Sequence, residues 1–375
     1  MILIPRGRRK KLACGLLCAA SVYFFSLYFG HVYVWTLSTG SLSNRFVGHK
    51  TLEADVIAAP KSEGVPMVLQ KRSPREHEKA NKPKKGVVSQ PGKAGRRRLP
   101  TTRSHDPVLY ATTLLKPKAR LGNLMFQYAA LLGIVAMNNH SHVAFFPPSP
   151  LLSPAFRLNH VQNRSHHGFR TVGERHFGSY DPRLAHLPQK DVALSGFFQS
   201  WRYFHHIRPT IRREFAFEDG VKRRALSLLT KYTEKRAGVR RVGVHVRRRD
   251  MLGSGGRNGY RVPPLSYLRK ASQYFRHKYR DVIFVVVSDD IEWCRGNLTW
   301  KDFVVADKSK PEVHLALLTS CDDVITTAGS FGWWGGYLAG GDVIYYANLI
   351  GPNTSTALGL KLSDYFLPQW IGLGD

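Results

Sequence analysis

The chain has 375 residues, 43% of them apolar, and a net charge of +30, enough for one large domain or two mid-sized ones around a substantial core. Charge of that size invites a nucleic-acid reading. However, much of it falls in roughly the first 120 residues, outside the stretch that looks folded, and no zinc-finger spacing, RNA-recognition signature or basic zipper is present, so nucleic acid is not an expected partner.

Residues 12–37 are almost uncharged and include Tyr23, Phe24, Phe25, Tyr28 and Phe29, with Arg6, Arg8, Arg9, Lys10 and Lys11 just before them. About 20 apolar residues span a bilayer core. A cleaved signal peptide has a shorter apolar region and a small-residue cleavage site. The stretch therefore predicts an uncleaved transmembrane signal-anchor after a cytoplasmic tail over 1–11, and the positive charge beside it sends the rest of the chain into the lumen. Residues 38–105 predict a disordered basic stem: between residues 40 and 105, 15 Lys or Arg stand against 5 Asp or Glu among repeated Pro, Gly and Ser. That composition buries too little surface to offset ordering entropy.

From residue 106 onward the pattern becomes globular. Four sequons begin at Asn139, Asn163, Asn297 and Asn353, which fits a lumenal location. Asn139 adjoins a predicted helix, so Asn163, Asn297 and Asn353 are the expected glycosylation sites. Helical spacing runs from Leu124 to Met137, with Leu124, Tyr128, Leu131, Leu132 and Val135 on one side. A buried strand follows at Val192-Ala-Leu-Ser-Gly-Phe-Phe198, then a helix over 219–236. Arg241-Val-Gly-Val-His-Val-Arg-Arg-Arg-Asp250 reads as a strand running into a loop. Helices are predicted over 264–279 and 312–318, strands over 281–288, 323–327 and 342–346, and a glycine-rich turn feeding a helix over 329–340. Cys294 and Cys321 could form one lumenal disulfide or remain two buried thiols.

Strands alternating with helices imply an α/β fold with parallel sheets, and continuous apolar strands imply cover on both faces. Ligands in such sheets sit at the carboxyl ends of the strands. The polar signals at 245–250, 288–290 and 329–332 all fall at such ends, so three separate segments point at one crevice.

Arg247 at a strand end needs an anionic partner, and a guanidinium fork matches phosphate oxygens. Fixed there, it would stabilise the charge developing on a departing nucleotide. The alternative is a structural Arg–Asp cluster with Asp250. Asp289 can accept two hydrogen bonds from guanine or can cap the next helix. Ser330 and Phe331 open a glycine-rich segment that suits phosphate, while Trp333 and Trp334 equally suit a core. No Asp-x-Asp pair occurs in the folded region, which favours arginine over a metal as the source of positive charge.

These motifs together resemble the galactoside alpha-1,2-fucosyltransferase family, glycosyltransferase family 11. The resemblance rests on Arg120-Leu-Gly-Asn-Leu-Met-Phe-Gln-Tyr-Ala129, Gly243-Val-His-Val-Arg-Arg-Arg-Asp250 and Phe284-Val-Val-Val-Ser-Asp-Asp290. It continues in Leu315-Ala-Leu-Leu-Thr-Ser-Cys321, in Thr327-Ala-Gly-Ser-Phe-Gly-Trp-Trp-Gly-Gly-Tyr-Leu-Ala-Gly-Gly341 and in Phe366-Leu-Pro-Gln-Trp370. Leu124 and His314 depart from it, replacing a polar and an acidic residue.

The resemblance implies a type II Golgi membrane protein with a GT-B-type fold of two Rossmann-like domains. The acceptor-side part would span 106–236 and the GDP-fucose-binding part 237–375. It implies inverting transfer of fucose from GDP-fucose to the 2-hydroxyl of a terminal beta-galactoside, with no metal cofactor. Arg247 would hold the diphosphate, His245 and Arg248 would support it, Asp289 would read guanine, Ser330 and Phe331 would line the phosphate pocket, and Asn123 would lie near the reaction centre. Asp250 is the candidate general base; otherwise proton loss comes late, without one. Two alternatives remain at this point: another acceptor linkage, or a tethered glycan-binding protein that has lost turnover.

Overall fold

The computed structural model describes residues 107–233 and 238–375. The expected tail, signal-anchor and stem, and the last residues of the helix expected over 219–236, lie outside the described residues. Among the described residues no helix is long and apolar enough to cross a membrane.

Among the described residues, ten strands form two sheets. The first contains β1 (Leu109–Leu114), β2 (His142–Ala144), β3 (Arg170–Gly173) and β4 (Val192–Ser195) in the order β2-β1-β4-β3. The second contains β5 (Arg240–Val246), β6 (Val282–Ser288), β7 (Phe303–Val305), β8 (Asp323–Thr326), β9 (Val343–Tyr346) and β10 (Ile371–Leu373) in the order β10-β9-β8-β5-β6-β7. Every strand pair is parallel, as expected of an α/β fold.

Five helices matter most for the site: α1 (Leu121–Met137), α2 (Asp219–Tyr232), α3 (Leu265–Lys278), α4 (Pro311–Thr319) and α5 (Gly329–Ala339). Two of them correct the sequence reading. Helix α1 does not bury one face only. Every residue from Leu121 to Val135 except Asn123 is buried, because the first sheet covers one side and an aromatic cluster the other. The segment from Gly329 is itself a helix rather than a turn leading to one, and Gly340 ends it at φ +86, a left-handed conformation that glycine adopts without strain.

The aromatic cluster joins the two halves. The Phe126 ring of α1 lies 4.6 Å from Trp333 and 5.1 Å from Trp334 of α5, and Phe204 stacks on Trp334 at 5.4 Å. Both tryptophans are fully buried, each removing on the order of 150–250 Å² from water. Their indole N–H groups donate to the Tyr365 and Gly122 carbonyls. These residues are therefore core, one of the two readings open at sequence level.

Central strands β5 and β6 pair over seven residues, from Arg240↔Val282 to Val246↔Ser288. Both faces of β6 are covered. Phe284 and Val286 share one cluster with Cys294, while Val285 and Val287 share the other with Cys321. The two cysteines thus pack on opposite faces of the second sheet as separate buried thiols, and the disulfide considered from sequence does not form. Arg240 binds Asp323, which is wholly buried, through two hydrogen bonds of 2.6 and 2.9 Å. That pair fixes β5 against β8 at the end of the sheet away from the crevice.

Candidate active site

A cavity of about 880 Å³ opens at the carboxyl ends of β5, β6 and β8, with the start of α1 and the turn after β4 across from them. Its volume is in the range of small-molecule sites, ~300–1,000 Å³. It gathers nearly all the residues singled out from sequence. Asn123, His245, Arg247, Asp250, Asp289, Ser330 and Phe331 all line it.

Arg247 enters at the end of β5. Its backbone N–H donates to Thr327 Oγ1 at 2.9 Å, and that hydroxyl donates to the His245 carbonyl at 3.2 Å. Thr327, not among the candidate site residues, thereby pins the strand end. The guanidinium binds Asp250 through Nε at 2.9 Å and Nη2 at 2.5 Å. Burial disfavours charge on both groups, but their mutual hydrogen bonds prevail, so Asp250 titrates below and Arg247 above its ordinary range. Arg120, at the cavity mouth, approaches the same carboxylate at 3.4 Å. Asp250 is thus the counter-ion of two arginines, and a carboxylate held in its charged form by two cations is a weak proton acceptor. The reading of Asp250 as general base is set aside in favour of this structural one.

Nη1 of Arg247 remains, and it lies against Gly329, which leaves no room for a Cβ and has φ +80. Only glycine meets both demands. It brings the guanidinium to the first turn of α5, whose N-cap, Ala328, supplies no side-chain cap. A cation and an uncapped helix N-terminus converge on one spot, which favours an anion.

His245 is buried, and burial, then the nearby Arg247 charge, pushes its pKa down to about 3. It is therefore neutral near pH 7. Its ring faces Phe331 at 5.3 Å, and Nδ1 has no hydrogen-bond partner among the described residues. Asp289 does not cap the next helix, whose N-cap is Asp290 and lacks a side-chain bond. Instead Asp289 accepts the Arg248 backbone N–H at 2.8 Å, fixing the turn out of β5 while its carboxylate remains exposed to the cavity. Arg248 departs from expectation. It does not line the cavity; its side chain lies 3.4 Å from Asp290 and 4.5 Å from the Trp293 ring.

The first half supplies the opposite wall. Leu121, Gly122, Pro150, Leu151, Pro154, Phe177 and Phe197 line it with little charge. Gly122 packs so closely on Ser330 and Phe331 that a Cβ would stand 2.8 Å from them. Asn123 Oδ1 accepts from Ser330 Oγ at 2.6 Å and from Gln199 Nε2 at 2.9 Å, so its amide bridges the two halves. Gln199, Phe197, Lys310 and His314 line the cavity but were not among the sequence-derived candidates. The strand-end rule that flagged β5, β6 and β8 would have flagged Phe197 and Gln199 had it been applied to β4. His314 sits in α4 with Nε2 on the Asp307 carbonyl at 2.9 Å, and burial lowers its pKa. Glu174, just behind Phe197, accepts the Phe197 and Phe198 backbone N–H groups. Burial outweighs those bonds and pushes its pKa up to about 7.

Asn163, Asn297 and Asn353 are all exposed, as glycan acceptors must be. The Asn297 amide donates to the Trp293 carbonyl at 2.8 Å.

Residues 100–374 match the family described as Glycosyl transferase family 11. Galactoside alpha-(1,2)-fucosyltransferase 1 of Sus scrofa is 36% identical over 292 residues, covering 72% of this chain and 77% of that protein. The protein of the same name from Rattus norvegicus is 37% identical over 281 residues, covering 71% and 74%. Among solved structures, NodZ alpha-1,6-fucosyltransferase soaked with GDP-fucose aligns at 13% identity with a TM-score of 0.42, covering 64% of this chain and 95% of that one, a likeness too distant to place a ligand.

Proposed function

The chain belongs to glycosyl transferase family 11, and from that premise we propose that it is an inverting galactoside alpha-(1,2)-fucosyltransferase whose two cavity walls divide the substrates between them. The observation that carries the reading is the asymmetry of those walls. Arg247, the uncapped start of α5 and neutral His245 lie on one side. A largely apolar, aromatic surface around Phe177 and Phe197 lies on the other. The charged side takes the diphosphate of GDP-fucose, with Asp289 at the guanine. The apolar side takes a neutral sugar, the terminal beta-galactoside. On this reading the two sheets are the two Rossmann-like halves of a GT-B-type fold, divided near residue 237.

The acceptor 2-hydroxyl oxygen attacks the anomeric carbon of fucose. The bond from that carbon to the β-phosphate oxygen breaks, its electron pair stays with GDP, and the hydroxyl proton leaves to solvent late in the step. Arg247 Nη1, the amides of α5 and the Ser330 region stabilise the charge that grows on the leaving oxygen. Arginine supplies this charge without a metal ion. Asp250 holds the guanidinium in place before the nucleotide arrives, so little reorganisation remains at the moment of reaction.

The same reading includes a type II topology in the Golgi membrane. The basic cluster before the apolar run at 12–37 and three exposed sequons support it. Glycosidase treatment of the cellular protein should then shift its mobility, and a cytosolic C-terminal part would contradict it. The activity is tested with the full-length chain, GDP-fucose and a panel of beta-galactosides. An alpha-1,2 linkage by NMR is expected, and a different linkage, or no transfer to any member, would overturn the assignment.

A further inference from the structure

Gln199 has a polar side chain but is only 8% exposed, and among the described residues its one side-chain hydrogen bond runs from Nε2 to Asn123 Oδ1 at 2.9 Å. The same oxygen accepts the Ser330 hydroxyl at 2.6 Å. A carbonyl oxygen has two lone pairs, so both are used. The Asn123 Nδ2 amine is then the end left over, on a residue that lines the cavity. Asn123 stands where the starts of α1 and α5 meet, beside the anion-favouring spot at Arg247.

The backbone places Gln199 deliberately. Phe198, immediately before it, has φ +52, a conformation that is costly for a bulky residue. Several bonds hold it there. Glu174 accepts the Phe197 and Phe198 amides, the Gln199 N–H donates to the Phe177 carbonyl at 2.9 Å, and the Ser200 N–H donates to the Phe198 carbonyl at 2.8 Å. Strain retained in this way aims a side chain. Ser330 alone would not decide which way the Asn123 amide faces, because a hydroxyl rotates to accept as readily as it donates.

We propose that Gln199 is a positioning residue for fucosyl transfer: it fixes the face of the Asn123 amide so that Nδ2 donates to an oxygen of the bound nucleotide sugar. The proposal rests on the reading of the cavity as the GDP-fucose site. It concerns the first-half turn after β4 rather than the charged strand ends.

The test is a double-mutant cycle in the full-length chain, with kcat, both KM values, GDP affinity and thermal midpoint measured for each protein. Gln199→Ala should lower kcat roughly tenfold, the effect of one misdirected hydrogen bond to a charged group, with acceptor KM unchanged. In an Asn123→Ala background the same substitution should lower kcat by less than about twofold, because the two residues act as one unit. Gln199→Glu is nearly isosteric but only accepts, so it turns the Asn123 oxygen toward the nucleotide and should lower kcat further than Gln199→Ala. Additive losses in the cycle, a loss confined to the thermal midpoint, or Gln199→Glu more active than Gln199→Ala would each overturn the proposal. A wild-type chain that neither binds GDP nor transfers fucose would instead overturn the substrate reading beneath it.

Discussion

The two walls of the cavity are held in different ways. On the second-sheet side, Arg247 and Asp289 are set by the ends of two long, largely buried strands. Arg247 follows seven paired residues of β5, and Asp289 follows seven of β6. On the first-sheet side the strands are three to six residues long, and Asn123, Phe197 and Gln199 come from a helix start and a strained turn. Fixed charge sits at the strand ends, and largely apolar contact sits on the side built from a helix start and turns. A leaving diphosphate needs fixed dipoles at a fixed distance, whereas a neutral sugar is recognised by shape and by a few hydrogen bonds. On the proposed reading, this architecture keeps the charge that meets the leaving group on the scaffold and the acceptor contacts on the loops, with Asn123 and Gln199 reaching from the loop side to the donor.

Substitutions on each side should separate the two roles. Arg247→Ala should lower kcat about 10³-fold while the thermal midpoint stays within a few degrees, and near-normal turnover would dissolve the contrast. Asp289→Asn keeps an acceptor for the Arg248 amide but removes the carboxylate. It should raise the GDP-fucose KM by roughly 10–100-fold, the value of a bidentate base contact, and leave the acceptor KM alone. Phe197→Ala should do the reverse, raising the acceptor KM by roughly fivefold through lost aromatic contact, with the donor KM unchanged.

The smallest expected effect concerns pH. The Glu174 carboxyl has a native pKa raised from 4.5 to about 7 by burial. The native state therefore binds this proton more tightly than the unfolded chain does. Its contribution to stability is full below about pH 4.5 and is lost as pH rises through 7. Glu174→Gln should flatten the fall in thermal midpoint between pH 5 and pH 8, and on the order of 2 kcal/mol is at stake. An unchanged pH profile would show that Glu174 does not govern the turn.

The same asymmetry explains what could be read from the sequence. Strands β5, β6, β8 and β9 are marked by apolar runs, those of β5 and β6 ending in charge, and the bounds of β6, β8 and β9 agree with expectation within a residue. The short strands β1, β2 and β3 carry no such signature, because β3 is largely exposed and β2 is three residues long. Arg247, His245 and Asp289 were legible because strand ends concentrate function. The pairing of Asp250 with both Arg247 and Arg120 was only half legible. The nearer arginine is three residues away, but Arg120 is 130 residues distant and meets the carboxylate only once the halves close. Gln199 was hidden for the same reason: its partner on α1 is 76 residues earlier. The separation of Cys294 from Cys321 follows from which face of the second sheet each cysteine's segment covers, which spacing alone does not encode.

Calorimetric titration of GDP and GMP into the wild-type and Arg247→Ala chains tests the charged wall most directly. The wild type should bind GDP more tightly than GMP, and Arg247→Ala should erase that difference while leaving GMP affinity nearly intact. If the variant still distinguishes the diphosphate from the monophosphate, Arg247 is only the scaffold partner of Asp250, and the assignment of the leaving group to this wall is contradicted.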